Sequence, residues 1–184
     1  MQAHAAVGMA EYTSIAAGME AADAMVKTAD VRPLFFKTIC PGKYTAAVSG
    51  DVAAVEASLQ AARLIKPSSL ADWFVIPNIH RTVISAIAGC QPIVERGALG
   101  VIETYSVAAA IRAADAAVKA AEVTLMDVRM ALGLGGKGYV LLLGDVAAVR
   151  ASVDAGSAMA AESGLLVGTL VIPHPAPAFF DQIL

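Results

Sequence analysis

The feature that most constrains the fold of this 184-residue chain is an internal repeat that covers most of its length. Four segments of the first half recur in the second half, in the same order. The matched segments are 8–17 with 100–109, 21–27 with 113–119, 50–55 with 144–149, and 75–77 with 171–173. The offset between the copies grows only from 92 to 96 along the chain. The sequence therefore predicts two tandem domains, which we place at residues 1–91 and 97–184.

Both copies predict the same order of secondary structure. An apolar strand leads to a helix that begins near Ser14 in the first copy and near Ser106 in the second, since serine is a favoured N-cap residue. Two strands joined by a turn, a second helix capped by Asp51 or Asp145, and a last strand complete each copy. This β-α-β-β-α-β order is typical of the split βαβ (ferredoxin-like) fold, an α/β (α+β) arrangement with helices on one face of a largely antiparallel sheet.

Apolar residues of the first helix in each copy recur at helical spacing, which predicts the side that faces the sheet. These predicted core positions are Ile15, Met19, Ala22 and Val26, and Val107, Ile111, Ala114 and Val118. On the opposite side, Asp23 with Lys27 and Asp115 with Lys119 are four residues apart and are expected to form ion pairs.

Composition narrows the classes of function. The chain is 58% hydrophobic with a mean hydropathy of +0.67, and 16% of its residues are charged, against roughly 25% in average globular proteins. Such a chain is expected to bury its edges against further copies of itself. A net charge of -3 gives no reason to expect nucleic acid as a partner. Prolines and glycines interrupt the longest uncharged stretch, residues 163–180, so no membrane span is predicted.

The chain contains two cysteines, Cys40 and Cys90. Its first residues lack the pattern of a signal peptide, so a cytosolic location without a disulfide is expected. Cys90 has no equivalent in the other copy and lies in the join between the copies, where we interpret it as structural.

Cys40 lies in a turn, with the sequence KTICPGK at residues 37–43. Pro41 restricts φ and Gly42 relieves the steric limit, as a tight turn requires. The second copy has GLGGKG at residues 133–138 in the equivalent place. That segment joins two strands and has no Ser or Thr after its lysine, so a hairpin turn is favoured over a phosphate-binding loop. Contact of a small anion with its backbone N–H groups stays an alternative.

Three of these segments resemble the shell domains of bacterial microcompartments (BMC domains). They are AADAMVK at 21–27, GDVAAV at 50–55 and VIPHP at 171–175, and the resemblance covers nearly the whole chain twice. Two domains in unpermuted order resemble the tandem-domain class that forms trimers. Within that class, EYTSIA at 11–16 and KTICPGK at 37–43 are similar to the iron–sulfur-bearing shell proteins of propanediol-utilisation compartments.

The resemblance implies a structural protein rather than an enzyme. Three chains would form a flat pseudohexameric tile of a microcompartment shell within the cytoplasm, edge to edge with other shell proteins. Both turns would meet at a central pore, lined by Thr38, Ile39, Cys40, Pro41, Gly42, Gly133, Leu134, Gly135 and Gly136. The tile edge would hold Lys27, Lys119, His80 and His174, although the usual edge arginine of a PRPH segment is absent from both copies.

On a threefold axis Cys40 would supply three thiolates, and the resemblance implies that they hold one 4Fe-4S cluster per trimer. Such a cluster normally takes four cysteines, so one iron would bind water, a small ligand or an unseen partner. Lys37, Lys43 and Lys137 would ring the axis and favour an anionic cluster. The cluster would close the pore and carry electrons across the shell, with encapsulated redox enzymes as further partners. An exposed cluster is oxygen-labile and is expected to be lost in aerobic preparations.

Other interpretations stay open on the sequence alone. Three thiolates could bind zinc, and a lone cysteine is most often a small buried hydrophobe. If Cys40 binds no metal, the pore would be free of cofactor and would conduct or gate metabolites. No catalytic constellation can be argued, because His4, His80 and His174 show no ligand spacing. We interpret Glu11 and Glu103 as structural hydrogen-bonding groups rather than a catalytic pair.

Overall fold

The computed structural model describes residues 6–87, 96–130 and 133–183. The predicted join between the copies lies mostly outside these ranges, as do Cys90 and His4. In chain order the elements are β1 (Ala6–Tyr12), α1 (Ile15–Thr28), β2 (Arg32–Ile39), β3 (Lys43–Gly50), α2 (Val52–Leu64), β4 (Leu70–Ile76), α3 (Arg81–Ile87), β5 (Ala98–Thr104), α4 (Val107–Ala120), β6 (Thr124–Met130), β7 (Gly138–Gly144), α5 (Val146–Glu162), β8 (Leu166–Ile172) and α6 (Pro177–Ile183).

Two four-stranded sheets have the same topology, with strand orders β2-β3-β1-β4 and β6-β7-β5-β8. The first strand of each copy is antiparallel to both of its neighbours. Even the irregularities recur, because the register shift between Glu11 and Tyr12 is repeated between Glu103 and Thr104. The predicted β-α-β-β-α-β order and the split βαβ fold are confirmed.

The chain divides into two compact units that exchange short segments. The first unit consists of Met1–Ile79, Ser106–Ala108 and Met130–Lys137, and the second of His80–Tyr105, Ala109–Arg129 and Gly138–Leu184. Helix α3 therefore belongs to the second unit although β4, the strand before it, belongs to the first. In the same way, the start of α4 and the turn after β6 belong to the first unit.

The core of the first unit lies between its sheet and the helices α1 and α2. Tyr12, Met25 and Leu59 are among its largest fully buried side chains. The Tyr12 hydroxyl donates a hydrogen bond to the Ala62 carbonyl oxygen in α2, which satisfies the only polar atom of that buried side chain. In the second unit, Leu99, Leu143 and Phe180 form an apolar cluster between the sheet and α6.

The predicted core face of α1 is wrong at three of its four positions, since Ile15, Met19 and Val26 are 37, 53 and 38% exposed. The side that is buried consists of Ala17, Gly18, Ala21, Ala22 and Met25. Its small residues let the helix approach the sheet closely: a Cβ built on Gly18 would lie 2.5 Å from the Tyr44 Cβ. The larger apolar residues form a second stripe that nothing in the chain covers within the described residues.

In α4 the same prediction holds better. Val107, Ile111 and Ala114 are fully buried, and Val118 is half-buried. Ala113 and Ala117 are fully buried as well. Helix α4 is therefore enclosed both on its alanine stripe and on its larger apolar stripe, whereas α1 is enclosed on one stripe only.

The predicted helix caps are confirmed only in part. The Ser14 hydroxyl accepts a hydrogen bond from the Ala17 N–H at 3.3 Å, as an N-cap does. The Ser106 hydroxyl donates to the Asp72 carboxylate at 2.6 Å. Asp51 and Asp145 occupy the N-cap positions of α2 and α5, but their side chains make no capping hydrogen bond there. Both carboxylates are exposed, so water satisfies them instead.

Candidate functional site

The cysteine turn joins β2 to β3. Ile39 at the end of β2 is buried, Cys40 carries a free, half-buried thiol, and Pro41 and Gly42 are exposed. The Cys40–Pro41 peptide bond is cis, and Gly42 has a φ of 79°. The turn thus presents the sulfur-bearing residue next to the exposed tip of a hairpin.

The glycine turn after β6 lies against the cysteine turn inside the first unit. Its residues Gly133, Gly135 and Gly136 have φ values of 75, 61 and 90°, a region that favours glycine. A Cβ built on Gly136 would lie 3.0 Å from the Pro41 Cδ and 3.4 Å from the Cys40 carbonyl oxygen. The structure therefore brings together the two turns that the repeat relates.

The outer side of both turns faces open space. A Cβ built on Gly42, Gly133 or Gly135 would meet no atom of the described chain within 4 Å. Of the predicted pore-lining residues, Thr38, Pro41, Gly42, Gly133 and Gly135 are exposed, Cys40 and Leu134 are half-buried, and Ile39 and Gly136 are buried. Ile39 and Gly136 therefore support the turns from behind and do not contribute accessible surface.

A buried carboxylate fixes the far end of the cysteine turn. Glu11 in β1 has no exposed surface, and its Oε1 lies 2.8 Å from the Lys43 Nζ. Its Oε2 accepts hydrogen bonds from the backbone N–H groups of Val107 and Ala108, at 3.0 and 3.3 Å. Those groups open α4, where the helix dipole favours a negative charge. The interpretation of Glu11 as a structural hydrogen-bonding group is confirmed.

Two of the three lysines predicted to ring the pore contact other groups of their own chain. The Lys43 ammonium is mostly buried and paired with Glu11, so it does not act as an isolated positive charge. Lys37 extends over the Phe35 ring, 4.9 Å from its centroid. Partial burial lowers the pKa of Lys37 below its ordinary value, since desolvation disfavours the charged form.

Within the described ranges, a single chain offers one thiol, that of Cys40, as a ligand for a metal or an iron–sulfur cluster. Among the described residues, no group of three or more His, Cys, Asp or Glu side chains is placed to hold a metal ion. Cys40 fits an iron–sulfur cluster in the chemistry of its ligand atom and in the open space beside its turn. One thiol is too few by itself, because such a cluster normally takes four cysteines.

The predicted edge residues fall into two environments. Lys27 is exposed and pairs with Asp23, Lys119 is partly exposed and pairs with Asp115, and His174 is exposed. His80 differs, because its backbone N–H donates to the Asp115 Oδ1 at 2.7 Å and its ring Nδ1 lies 2.7 Å from the Thr82 Oγ1. Sequence reasoning missed this contact, which joins residues 35 positions apart.

A family model described as the BMC domain matches residues 6–79 and 98–175. The chain belongs to the BMC domain family. The predicted resemblance is confirmed, and the two matched regions make this a tandem BMC protein. Among the described residues, no helix has the length and apolarity needed to cross a bilayer.

Known BMC proteins resemble this one along all or part of its length. The shell protein PduT of Citrobacter freundii is 48% identical over 179 residues, which is 97% of each chain. The shell protein EutM of Salmonella typhimurium is 50% identical over 78 residues, 42% of this chain and 79% of its own. These relatives are shell components of bacterial microcompartments, which lie in the cytoplasm, so the predicted location is confirmed.

Solved BMC structures confirm the fold. A microcompartment protein from Desulfitobacterium hafniense DCB superposes with a TM-score of 0.87 at 46% identity, covering 97% of this chain and 99% of its own. A fused permuted hexameric shell protein from the RMM microcompartment superposes with a TM-score of 0.67 at 25% identity, covering 88 and 84%.

Proposed function

We propose that this tandem BMC protein forms a homotrimeric shell tile in which three copies of Cys40 hold one 4Fe-4S cluster at a central pore. Its relatives are structural shell proteins, and we propose that the chain is likewise not an enzyme. The tile would meet other shell proteins edge to edge. Redox enzymes inside the compartment would be its electron partners.

The observation that carries the proposal is the position of Cys40. Its thiol is free and half-buried, in a turn whose outer side borders open space. Three chains around one axis would supply three thiolates, which leaves a single iron for a ligand from outside the protein. The neighbouring repeat contributes no further sulfur, because Leu134 stands in the equivalent place.

Each nearby residue has a definable role in this proposal. The cluster, when bound, would accept and release single electrons. Cys40 would supply the ligand atom, and the contact between Pro41 and Gly136 would hold the turn in place. The ion pair of Lys43 with Glu11 would anchor the other end of the turn. Together these contacts would keep the three sulfurs in one fixed arrangement.

The test is anaerobic purification followed by iron analysis and electron paramagnetic resonance of the reduced protein. We expect about four iron atoms per three chains in the wild type. Cys90→Ser is the matched control and should keep the cluster. Cys40→Ser should lose both iron and signal while the oligomer survives. A cluster retained in Cys40→Ser would disprove the assignment of its ligand.

A cofactor-free pore is the second candidate, and the glycine turns favour it. The exposed residues Gly42, Gly133 and Gly135 carry no side chain that would narrow an opening. In that case the pore would pass metabolites and Cys40 would only line it. A trimer that takes up no iron after anaerobic reconstitution would support this function over the first.

A further inference from the structure

The glycine turn, residues 133–137, belongs with the cysteine turn rather than with its own strands. Most of β6 and all of β7 are part of the second unit, whereas Met130–Lys137 are part of the first. The turn is also closed within itself, because the Lys137 N–H donates to the Leu134 carbonyl oxygen at 3.2 Å. It is therefore a compact element whose surroundings are those of Cys40.

The two turns meet most closely at one residue. Gly136 is buried, and a Cβ built on it would lie 3.0 Å from the Pro41 Cδ and 3.4 Å from the Cys40 carbonyl oxygen. Because protein interiors are close-packed, there is no room at this point for a side chain. Cys40 is half-buried, although Pro41 and Gly42 at the tip of the same hairpin are exposed. Gly136 thus allows the glycine turn to lie directly against the residue that carries the thiol.

The cysteine turn is held at its base by two side chains. The Lys43 ammonium pairs with the buried Glu11 carboxylate at 2.8 Å, and Tyr44 is buried against Gly18 of α1. The second copy has Gly138 in the place of Tyr44, so the glycine turn lacks the second of these attachments. Segments with fewer packed side chains open more readily than their surroundings. Of the two turns, the glycine turn is therefore the one expected to move.

We infer that the glycine turn is a cover for Cys40, which controls how fast reactive molecules from solution reach the Cys40 sulfur. Gly136 is its positioning residue, because the missing side chain lets the cover lie closed against Pro41. The inference goes beyond the proposed cluster, since it concerns the thiol whether or not iron is bound. In a trimer that holds a cluster, the same cover would slow the access of oxygen to the sulfur ligands.

Two variants separate the contact with the cysteine turn from the strain of the backbone. Gly136→Ala adds a methyl group that pushes against Pro41. Gly133→Ala is the matched control, because Gly133 has a similar φ, 75° against 90°, and a Cβ there would meet no atom of the described chain within 4 Å. Both variants are made in a Cys90→Ser parent, in which Cys40 is the only thiol. Circular dichroism and sedimentation should show that fold and oligomeric state match those of the parent.

The first measurement is the rate at which iodoacetamide alkylates the iron-free proteins, followed by mass spectrometry. The Cys40 thiolate displaces iodide and forms a carbon–sulfur bond. Rates are taken on the alkaline plateau, where the thiol is fully ionised, so that a change in its pKa does not enter. We expect Gly136→Ala to react about tenfold faster than the parent, and Gly133→Ala to stay within about twofold of it.

The second measurement uses the parent alone and decides the matter even if Gly136→Ala does not fold. The rates with N-ethylmaleimide and with a maleimide that carries a polyethylene glycol chain are each divided by the rate for glutathione. In both reactions the sulfur adds to the maleimide double bond, so the two reagents differ only in size. A covered thiol should react more slowly than glutathione, and the deficit should be larger with the bulky reagent.

The outcomes distinguish the parts of the inference. Equal rates for Gly136→Ala and Gly133→Ala would overturn the role of Gly136. A parent thiol that reacts as fast as glutathione with both maleimides would overturn the cover itself. Neither result depends on iron, so a protein that never binds a cluster would refute the proposed function and leave this test in force.

Discussion

At the scale of single residues, Glu11 has an unusual share of the polar contacts. It is fully buried, yet its two oxygens meet the Lys43 ammonium and two backbone N–H groups of α4. A buried charge is tolerated only when such partners replace its water. Removing the carboxylate would leave the mostly buried Lys43 ammonium and the two N–H groups without their acceptor.

We expect Glu11→Ala to lower the free energy of unfolding by about 3–5 kcal/mol, the cost of breaking a buried ion pair from one side. Urea unfolding followed by circular dichroism measures this change. Glu20→Ala is the control, because the Glu20 carboxylate is exposed and its 3.7 Å contact with Lys66 should contribute less than about 1 kcal/mol. Equal losses in the two variants would contradict the role assigned to Glu11.

Tyr12 predicts a dependence of stability on alkaline pH. Burial raises the pKa of Tyr12 to about 12 from its ordinary value of 10.0, because the core disfavours the phenolate. The unfolded chain therefore releases this proton first. The stability of the folded chain that depends on the protonated Tyr12 is fully present below pH 10.0 and is lost as the pH rises toward 12.

Tyr12→Phe should remove this part of the alkaline loss, since Phe has no proton to release. It should also cost about 1 kcal/mol at neutral pH through the lost hydrogen bond to Ala62. Urea midpoints measured from about pH 8 to about pH 11 test both effects. Tyr105→Phe, at an exposed side chain, should retain the alkaline loss. If both variants lost stability with pH alike, the effect would not belong to Tyr12.

At the scale of elements, the first helix shows how the two copies compensate. Gly18 in α1 lies against Tyr44 in β3. At the equivalent positions the second copy has Ala110 and Gly138, so a larger residue on the helix is matched by a smaller one on the strand. The strand residue in the second copy therefore leaves room for the extra methyl group on its helix.

Gly18→Ala should therefore destabilise the fold by roughly 1–3 kcal/mol, because the added methyl would overlap the Tyr44 ring. At an exposed helix position the same change from glycine to alanine stabilises the fold by about 1 kcal/mol, so the expected effect at Gly18 has the opposite sign. Thermal unfolding measures the difference, with Glu20→Ala as the exposed control on the same helix. A Gly18→Ala protein that melts higher than wild type would show that the contact relaxes without cost.

Much of this architecture can be predicted from the sequence, because the repeat constrains strands, helices and the pairing of the two turns. The core face of α1 cannot be, since Ile15 and Met19 have the spacing of core residues but lie on a surface. The spacing of apolar residues predicts that one side of a helix is apolar. It does not predict whether the same chain buries that side. The pairing of Lys43 with Glu11 and of Asp115 with His80 depends on contacts between residues 32 and 35 positions apart, which no local pattern encodes.

At the scale of the whole molecule, the proposed trimer would link folding to assembly. A partner that binds only the folded chain stabilises it by mass action, so the melting temperature of an oligomer rises with protein concentration. The exposed apolar stripe of α1, which contains Ile15 and Met19, is a surface whose burial would supply this gain.

We expect the melting temperature of the wild type to rise across a hundredfold range of concentration, by a few degrees at least. Differential scanning calorimetry at several concentrations measures it. Leu64→Glu, at an apolar side chain of α2 that is 74% exposed, should behave like the wild type. Met19→Glu, on the exposed stripe of α1, should melt at a temperature independent of concentration. A wild type without concentration dependence would contradict this linkage and, with it, the proposed trimer.

In the proposed trimer, the difference between Cys40 and Leu134 would have a consequence for ligand exchange. Six identical domains around one opening would crowd six sulfurs into it, enough to enclose a cube-shaped cofactor completely. In this protein only one of the two domains in each chain carries the cysteine, so three sulfurs would be present instead of six. One corner of the cube would then stay uncovered, where an outside molecule would come and go without any movement of the protein.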